Sequence, residues 1–210
     1  MSATNRSKFR ESHPNDYYVT PDWIVEDLLS TITSNTDDKL EYANIVSMAN
    51  SHGVLDPCAG GRTGLTLPTY PNVLGRYLPD AGVTSLDIRE DADADYKGVD
   101  FLGFSNDLDV LNQKYGLIIS NPPFQTAQEF IERSYDMLVP GGNVIFLLRL
   151  GFLGSAKRFA FFQKYKPDII FVHHKRPSFS ENGKTDADYY AHFVFRKSDS
   201  KNYDTKMVLI

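Results

Sequence analysis

The stretch Ile118-Ile119-Ser120-Asn121-Pro122-Pro123-Phe124 joins an apolar run to a polar side chain, two prolines and an aromatic ring. Neither proline has an N–H to donate, and Pro122 biases Asn121 towards an extended conformation. A buried strand therefore stops here in a stiff, exposed turn. The turn presents an amide and an aromatic face at a strand's carboxyl end, where open α/β sheets hold their ligands. Read alone, these four residues serve equally well as loop punctuation, because Asn-Pro and Pro-Pro both mark turns.

Three further polar features fall at strand ends. Asp56-Pro57-Cys58-Ala59-Gly60-Gly61 couples a carboxylate to a turn of small residues, which lets a ligand approach the backbone, and a following helix start favours negative groups. Asp87 closes another strand, at a place where a carboxylate can accept both hydroxyls of a ribose. Asp100-Phe101 offers a carboxylate for an exocyclic amine and a ring for a purine face. Each is commonplace by itself. The fold would bring all four together along one rim, and their joint occurrence in this order is far rarer by chance than any single member.

The surrounding chain supplies elements to position them. Thr20 and Pro21 open a helix through Trp23, Ile24, Leu28, Leu29 and Ile32, and a second helix is expected from Asp37 to about Asn50. Strands are expected over 53–56, 83–88, 96–101, 115–120, 143–150, 169–173 and 189–196. Residues 125–138 form an amphipathic helix closed by Pro140-Gly141-Gly142, and 155–165 form another. Met207 to Ile210 add an edge strand or a tail. Strand and helix alternate from 53 to 173, which implies a mostly parallel sheet of seven strands with flanking helices and an antiparallel hairpin at its carboxyl end.

The chain has 210 residues, 41% of them hydrophobic and 13% aromatic, enough to bury a real core. No apolar run approaches a membrane span, and Met1 to Asn15 is polar, without a signal-peptide core, so a cytoplasmic location is expected. The single cysteine, Cys58, excludes an internal disulfide and a cysteine-rich metal site. His173 and His174 face opposite ways on a strand, and no metal is expected. Net charge is −5, unevenly placed: residues 1–148 carry 10 basic against 21 acidic side chains, and residues 149–210 carry 12 against 6. Seven of those basic residues lie between Arg149 and Arg176, beside one acid, Asp168. That face could meet a polyanion, or simply be solvated.

Taken together, Tyr18-Val19-Thr20-Pro21, Asp56 to Gly61, Asp87-Ile88, Asp100-Phe101 and Asn121 to Phe124 resemble the motifs of S-adenosylmethionine-dependent DNA adenine-N6 methyltransferases, most closely the compact phage-type ones. The resemblance covers about residues 16 to 196 and implies the Rossmann-like class I methyltransferase fold. It implies cofactor contacts from Tyr18, Thr20, Asp56, Pro57, Cys58, Ala59, Gly60, Asp87, Ile88, Asp100, Phe101 and Asn121. Asn121, Pro122, Pro123 and Phe124 match the catalytic motif. Gly61-Arg62 departs from the Gly-x-Gly with which the cofactor turn often continues.

The chemistry suits these residue types. The lone pair of an adenine amino group is delocalised into the ring. If the Asn121 side-chain oxygen and the Pro122 carbonyl each accept one N6 hydrogen, the nitrogen pyramidalises and its lone pair can meet a sulfonium methyl. Fixed acceptors aimed at developing positive charge need no base of shifted pKa. Phe124 would stack on the target ring. A base inside a duplex cannot reach such a site, so flipping is implied. Lys157, Arg158, Lys175 and Arg176, with Phe124 and Phe179, are the expected substrate contacts. Phe179 is either a second stacking partner or an aromatic tucked onto the core.

The expected layout is a flexible tail (1–15), one methyltransferase domain (16–200) and a short carboxyl tail or edge strand (201–210). No separate target-recognition domain is foreseen, so DNA contacts are expected from the 60–72, 149–158 and 175–188 regions, or from a partner subunit or second copy. The turn also fits methyl transfer to an RNA base or a protein glutamine amide. A catalytically silent cofactor- or DNA-binding subunit is the reading from another class. A phage origin would place the protein in the cytoplasm of a bacterial host.

Overall fold

The computed structural model describes residues 19–34, 42–103, 108–179, 186–198 and 204–210. Tyr18, the tail 1–15 and the first half of the expected second helix lie outside the described residues.

The framework is a mixed sheet flanked by helices. The strands are β1 (Val54–Asp56), β2 (Val83–Asp87), β3 (Tyr96–Lys97), β4 (Tyr115–Ser120), β5 (Leu138–Arg149), β6 (Ile169–Val172), β7 (Tyr190–Arg196) and β8 (Lys206–Leu209), in the order β3-β2-β1-β4-β5-β7-β6-β8. Pairing is parallel from β3 across to β5; β7 runs antiparallel to both β5 and β6. Eight strands are described where seven were expected. The eighth is the carboxyl-terminal β8, which pairs parallel with β6.

The helices are α1 (Asp22–Thr33), α2 (Ala43–His52), α3 (Thr69–Tyr77), α4 (Asp109–Asn112), α5 (Ala127–Met137) and α6 (Phe159–Lys164). One sheet face packs Leu55, Ile118, Val144, Phe146 and Phe193 with α5, and the other packs Val54, Leu117, Ile119, Ile145 and Val194 with α1, α2 and α3. Both faces are covered, so β4 is buried along its whole length, as parallel strands require. Gly116 lets α2 lie directly on β4: a Cβ there would run into the carbonyl oxygen of Met48.

Several local expectations are corrected. Helix α3 lies where a loop to residue 72 was expected. Its Pro71 falls in the first turn, where no N–H is needed, while Tyr70, Val73 and Leu74 turn inward. Pro140-Gly141-Gly142 does not close α5. It forms an irregularity inside β5, where Gly141 takes a φ of 80° and bonds the Lys197 carbonyl. The 96–101 strand shrinks to Tyr96–Lys97, because Gly98 turns left-handed and sends Asp100-Phe101 into a turn. Residues 155–165 divide into a 3-10 turn (Ala156–Arg158) and α6. Pro21, not Thr20, takes the N-cap position of α1, and Thr20's side chain does not cap.

Candidate active site

The sheet order reverses direction between β1 and β4, so the chain diverges there and leaves a crevice beyond their carboxyl ends. The crevice holds about 740 Å³ of free space, its open mouth included. Pro57, Cys58, Gly60, Asp87, Ile88, Asp100, Phe101 and the whole Asn121 to Phe124 turn line it. A smaller recess shares Cys58, Gly60 and Asn121 and adds Val19, Thr20, Ala59, Gly61, Thr69 and Tyr70. The four strand-end features thus meet in one place.

Asp56 sits beneath the crevice, fully buried. Its Oδ1 accepts the Cys58 N–H (3.1 Å) and the Ser120 hydroxyl (2.6 Å), while Oδ2 is buried without a partner. Burial lifts its pKa to about 7, against the pull of those two hydrogen bonds. Burial likewise pushes the Cys58 thiol up, with Asp56 and Asp87 adding to it, so Cys58 has no thiolate character and serves as a small residue.

Asp87 Oδ2 accepts the Gly60 N–H (2.9 Å), and Oδ1 accepts the Arg89 backbone N–H (2.8 Å) and Nε (3.3 Å). Arg89 Nη2 also donates to the Gly61 carbonyl. Gly60 and Gly61 take φ of 71° and 65°, and a Cβ on Gly61 would meet Pro68 N and Thr66 O at 2.9 Å, so the turn closes only with glycine. Arg62, the departure from Gly-x-Gly, turns away from the crevice and pairs with Asp91 at 3.0 Å. Asp100 Oδ1 accepts the Leu102 N–H. Phe101 is buried with its ring 5.0 Å from Phe130, and Ile88 stays half exposed beside them.

At the other end, Asn121 Nδ2 donates to Thr20 Oγ1 (2.9 Å), and Thr20's carbonyl accepts the Thr69 hydroxyl (2.7 Å). Asn121 Oδ1 is buried and has no partner. Phe124 tilts against Tyr190 at 5.7 Å, and Phe179 meets Tyr190 edge-on at 5.0 Å. Phe179 is therefore packed against the core edge. Lys157, Arg158, Lys175 and Arg176 do not line the crevice. Arg158 lies over the Phe152 ring and bonds its carbonyl, and Arg176 lies 5.9 Å from the Tyr189 ring.

Sequence reasoning missed Arg89, Val99 and Phe130 in the crevice wall, and Thr69 and Tyr70 in the recess. It also missed a buried chain in which the Tyr70 hydroxyl meets His192 Nε2 (2.9 Å) and His192 Nδ1 meets His173 Nε2 (2.8 Å). Burial keeps both imidazoles neutral, with His173 lowered to about 4. Among the described residues no His, Cys, Asp and Glu cluster could hold a metal, and no helix is long and apolar enough to cross a membrane.

No family model matches this chain, and no curated protein is significantly similar in sequence. Solved structures do share its fold. A Listeria monocytogenes protein described as a class I S-adenosylmethionine-dependent methyltransferase superposes with a TM-score of 0.55 at 15% identity, over 90% of this chain and 64% of that one. The M protein of the type I restriction enzyme EcoKI gives 0.53 at 16%, over 86% and 44%. A Lactococcus lactis protein described as a hemolysin gives 0.56 at 10%, over 92% and 94%. The chain thus spans less than two thirds of the first of these structures and under half of the second. The architecture is that of class I methyltransferases, and what it does must be argued from the site.

Proposed function

We propose that this protein transfers a methyl group from S-adenosylmethionine to the exocyclic N6 of adenine in DNA. The observation that carries the reading is the Asn121 amide. Its nitrogen is engaged by Thr20, while its oxygen is buried without a donor at the wall of the crevice. An unpaired buried acceptor is costly and calls for a partner. An amino group on a planar ring, seated on Phe124, supplies one.

The residues present fit the cofactor. Asp87 Oδ2 accepts a single hydrogen bond and keeps capacity for a ribose hydroxyl. Ile88 and Phe101 give apolar faces for an adenine, and the second oxygen of Asp100, without a partner among the described residues, would accept its amine. The recess by Thr20, Ala59 and Gly60 suits the methionine end. When bound, the cofactor supplies an electrophilic sulfonium methyl. The chain's own residues do the rest. Asn121 Oδ1 and the Pro122 carbonyl accept the two N6 hydrogens, Pro123 stiffens the turn, and Phe124 holds the ring in line. As positive charge develops on the nitrogen these acceptors bind more tightly, which is what lowers the barrier.

DNA as substrate is supported by the basic stretch from Arg149 to Arg176 and by the shared fold of a restriction-modification subunit. Recognition of the target sequence falls to the rim loops together with a partner subunit or a second copy. The test is incubation with labelled cofactor and separate DNA, RNA and protein substrates, followed by nucleoside analysis. N6-methyladenine in DNA, lost in Asn121→Ala, is the expected result; label found only in protein or RNA overturns it.

A further inference from the structure

Arg149 ends β5 at the rim of the crevice. Its guanidinium carbon stands 5.0 Å from the centroid of Phe124, over the ring. Nε is shared between Asp188 Oδ2 (3.2 Å) and the Tyr190 hydroxyl (3.3 Å), and that hydroxyl in turn donates to Asp186 Oδ2 (2.9 Å). Both members of the ion pair are about half exposed. The two Nη groups, with four N–H donors, have no protein partner among the described residues. A planar cation thus covers an aromatic face, held by one N–H, on a side chain that is about half exposed.

This arrangement is unusual for a purely structural pair. A stabilising Arg–carboxylate pair uses the fork bidentately, and an exposed single contact contributes little. A free fork of N–H donors matches the oxygens of a phosphate. The ring under it is the one on which the target base is proposed to stack, so guanidinium and base compete for one face.

We propose that Arg149 is a phosphate-operated cover on Phe124. It occupies the base-stacking face in the free enzyme, tethered by Asp188, and a backbone phosphate of the nucleic acid draws it away as the target base arrives. The idea rests on the proposed function and makes Arg149 a positioning residue for it. Asp188 is then a competitor that holds Arg149 back.

Two single variants and their double test this. Binding to a fluorescently tagged, unmethylated mixed-sequence duplex is titrated over a range of salt, and transfer from labelled cofactor is read in the same samples. Arg149→Ala should weaken DNA binding about fivefold and flatten the log–log salt slope by about one unit, one phosphate contact's worth. Asp188→Asn should tighten binding about threefold. In the double variant the gain from Asp188→Asn should vanish, because its only effect is to release Arg149. A general loss of stability would move both single variants the same way. A simple charge effect of Asp188 would leave its gain intact in the Arg149→Ala background. Either outcome overturns the cover, and with DNA methylation intact it leaves the proposed function standing. A wild-type enzyme that neither binds nor methylates DNA overturns both.

Discussion

The two ends of the crevice are built on opposite plans. At the end proposed for the cofactor most polar contacts are internal: Asp87 to the Gly60 and Arg89 N–H groups and Asp56 Oδ1 to Cys58 and Ser120, with the buried Asp56 Oδ2 the exception. At the target end the functional groups are left open. Asn121 Oδ1 has no donor, and the Arg149 fork has no protein acceptor among the described residues. A site that must hold one invariant ligand can be preorganised by its own backbone. A site that must accept a large polymer keeps valences free until the polymer fills them. Changes at the first end should therefore cost folding and cofactor affinity together, and changes at the second should cost turnover or DNA binding alone.

Asp87→Asn is the strongest way to break this contrast. Asp87 and Arg89 form a nearly buried pair whose side chains are 9% and 3% exposed. Removing the carboxylate charge weakens the hold on Arg89, which keeps Asp91 and the Gly61 carbonyl, at a cost of about 2 kcal/mol. Chemical unfolding should show that loss, and calorimetry should show cofactor affinity down by at least tenfold. Unchanged stability with weakened cofactor binding would mean that the cofactor end is not prewired.

The pH dependence of stability sharpens the same point. Asp56, raised from 3.8 to about 7, holds a proton in the native state that the unfolded chain has released. Its contribution is present below pH 3.8 and is lost as pH rises towards 7. The histidines act oppositely. His173, lowered to about 4, and His192, lowered well below 6.5, stay neutral while the unfolded chain takes up protons, so stability rises with pH from about 4 to 6.5. Asp56→Asn removes the falling component only. Measured at pH 5, 6 and 7, the variant should gain on the wild type by about 1.3 kcal/mol over the first unit and about 1 kcal/mol over the second. Parallel stability profiles would show that Asp56 is ionised in the folded protein.

Thr20→Val is a smaller change, where the two ends meet: Thr20 lines the recess beside Ala59 and Gly60 and also braces Asn121. The substitution removes the acceptor for Asn121 Nδ2 and lets the amide rotate, while α1 keeps its Pro21 start. A lost brace of about 1 kcal/mol should lower kcat severalfold and the unfolding free energy by about the same amount, with DNA binding unchanged. A fall in cofactor affinity without a change in kcat would assign Thr20 to the cofactor end instead.

What the sequence made legible was local. The strand that stops at Asn121, the glycine turn after Asp56 and the carboxylates at strand ends all announce themselves within a few residues, and the parallel sheet follows from strand–helix alternation. What stayed hidden depends on distant or reversed chain. The Tyr70–His192 contact spans 122 residues. Arg89 carries no motif of its own, yet it folds back two residues onto Asp87. Helix α3 was masked by Pro71 and Gly75, whose breaking tendency matters little in a first turn and at an open position. Pro140-Gly141-Gly142 carries a turn's composition, but a bulge in β5 uses the same freedom.

The basic segment gives the smallest effect and the finest division. Lys157 and Arg158 are neighbours in one 3-10 turn, yet among the described residues only Arg158 is engaged, over the Phe152 ring and on its carbonyl. Arg158→Ala should therefore destabilise the fold by about 1 kcal/mol, through a lost cation–π contact and a hydrogen bond. Lys157 is exposed and has only its charge to offer. Lys157→Ala should leave the unfolding midpoint alone, weaken DNA binding about threefold and flatten the salt slope by up to one unit. If the slope is unmoved in Lys157→Ala and also in a Lys175→Ala Arg176→Ala pair, the polymer does not cross this face. The open valences at Asn121 and Arg149 would then have to be reached from the side of the glycine turn.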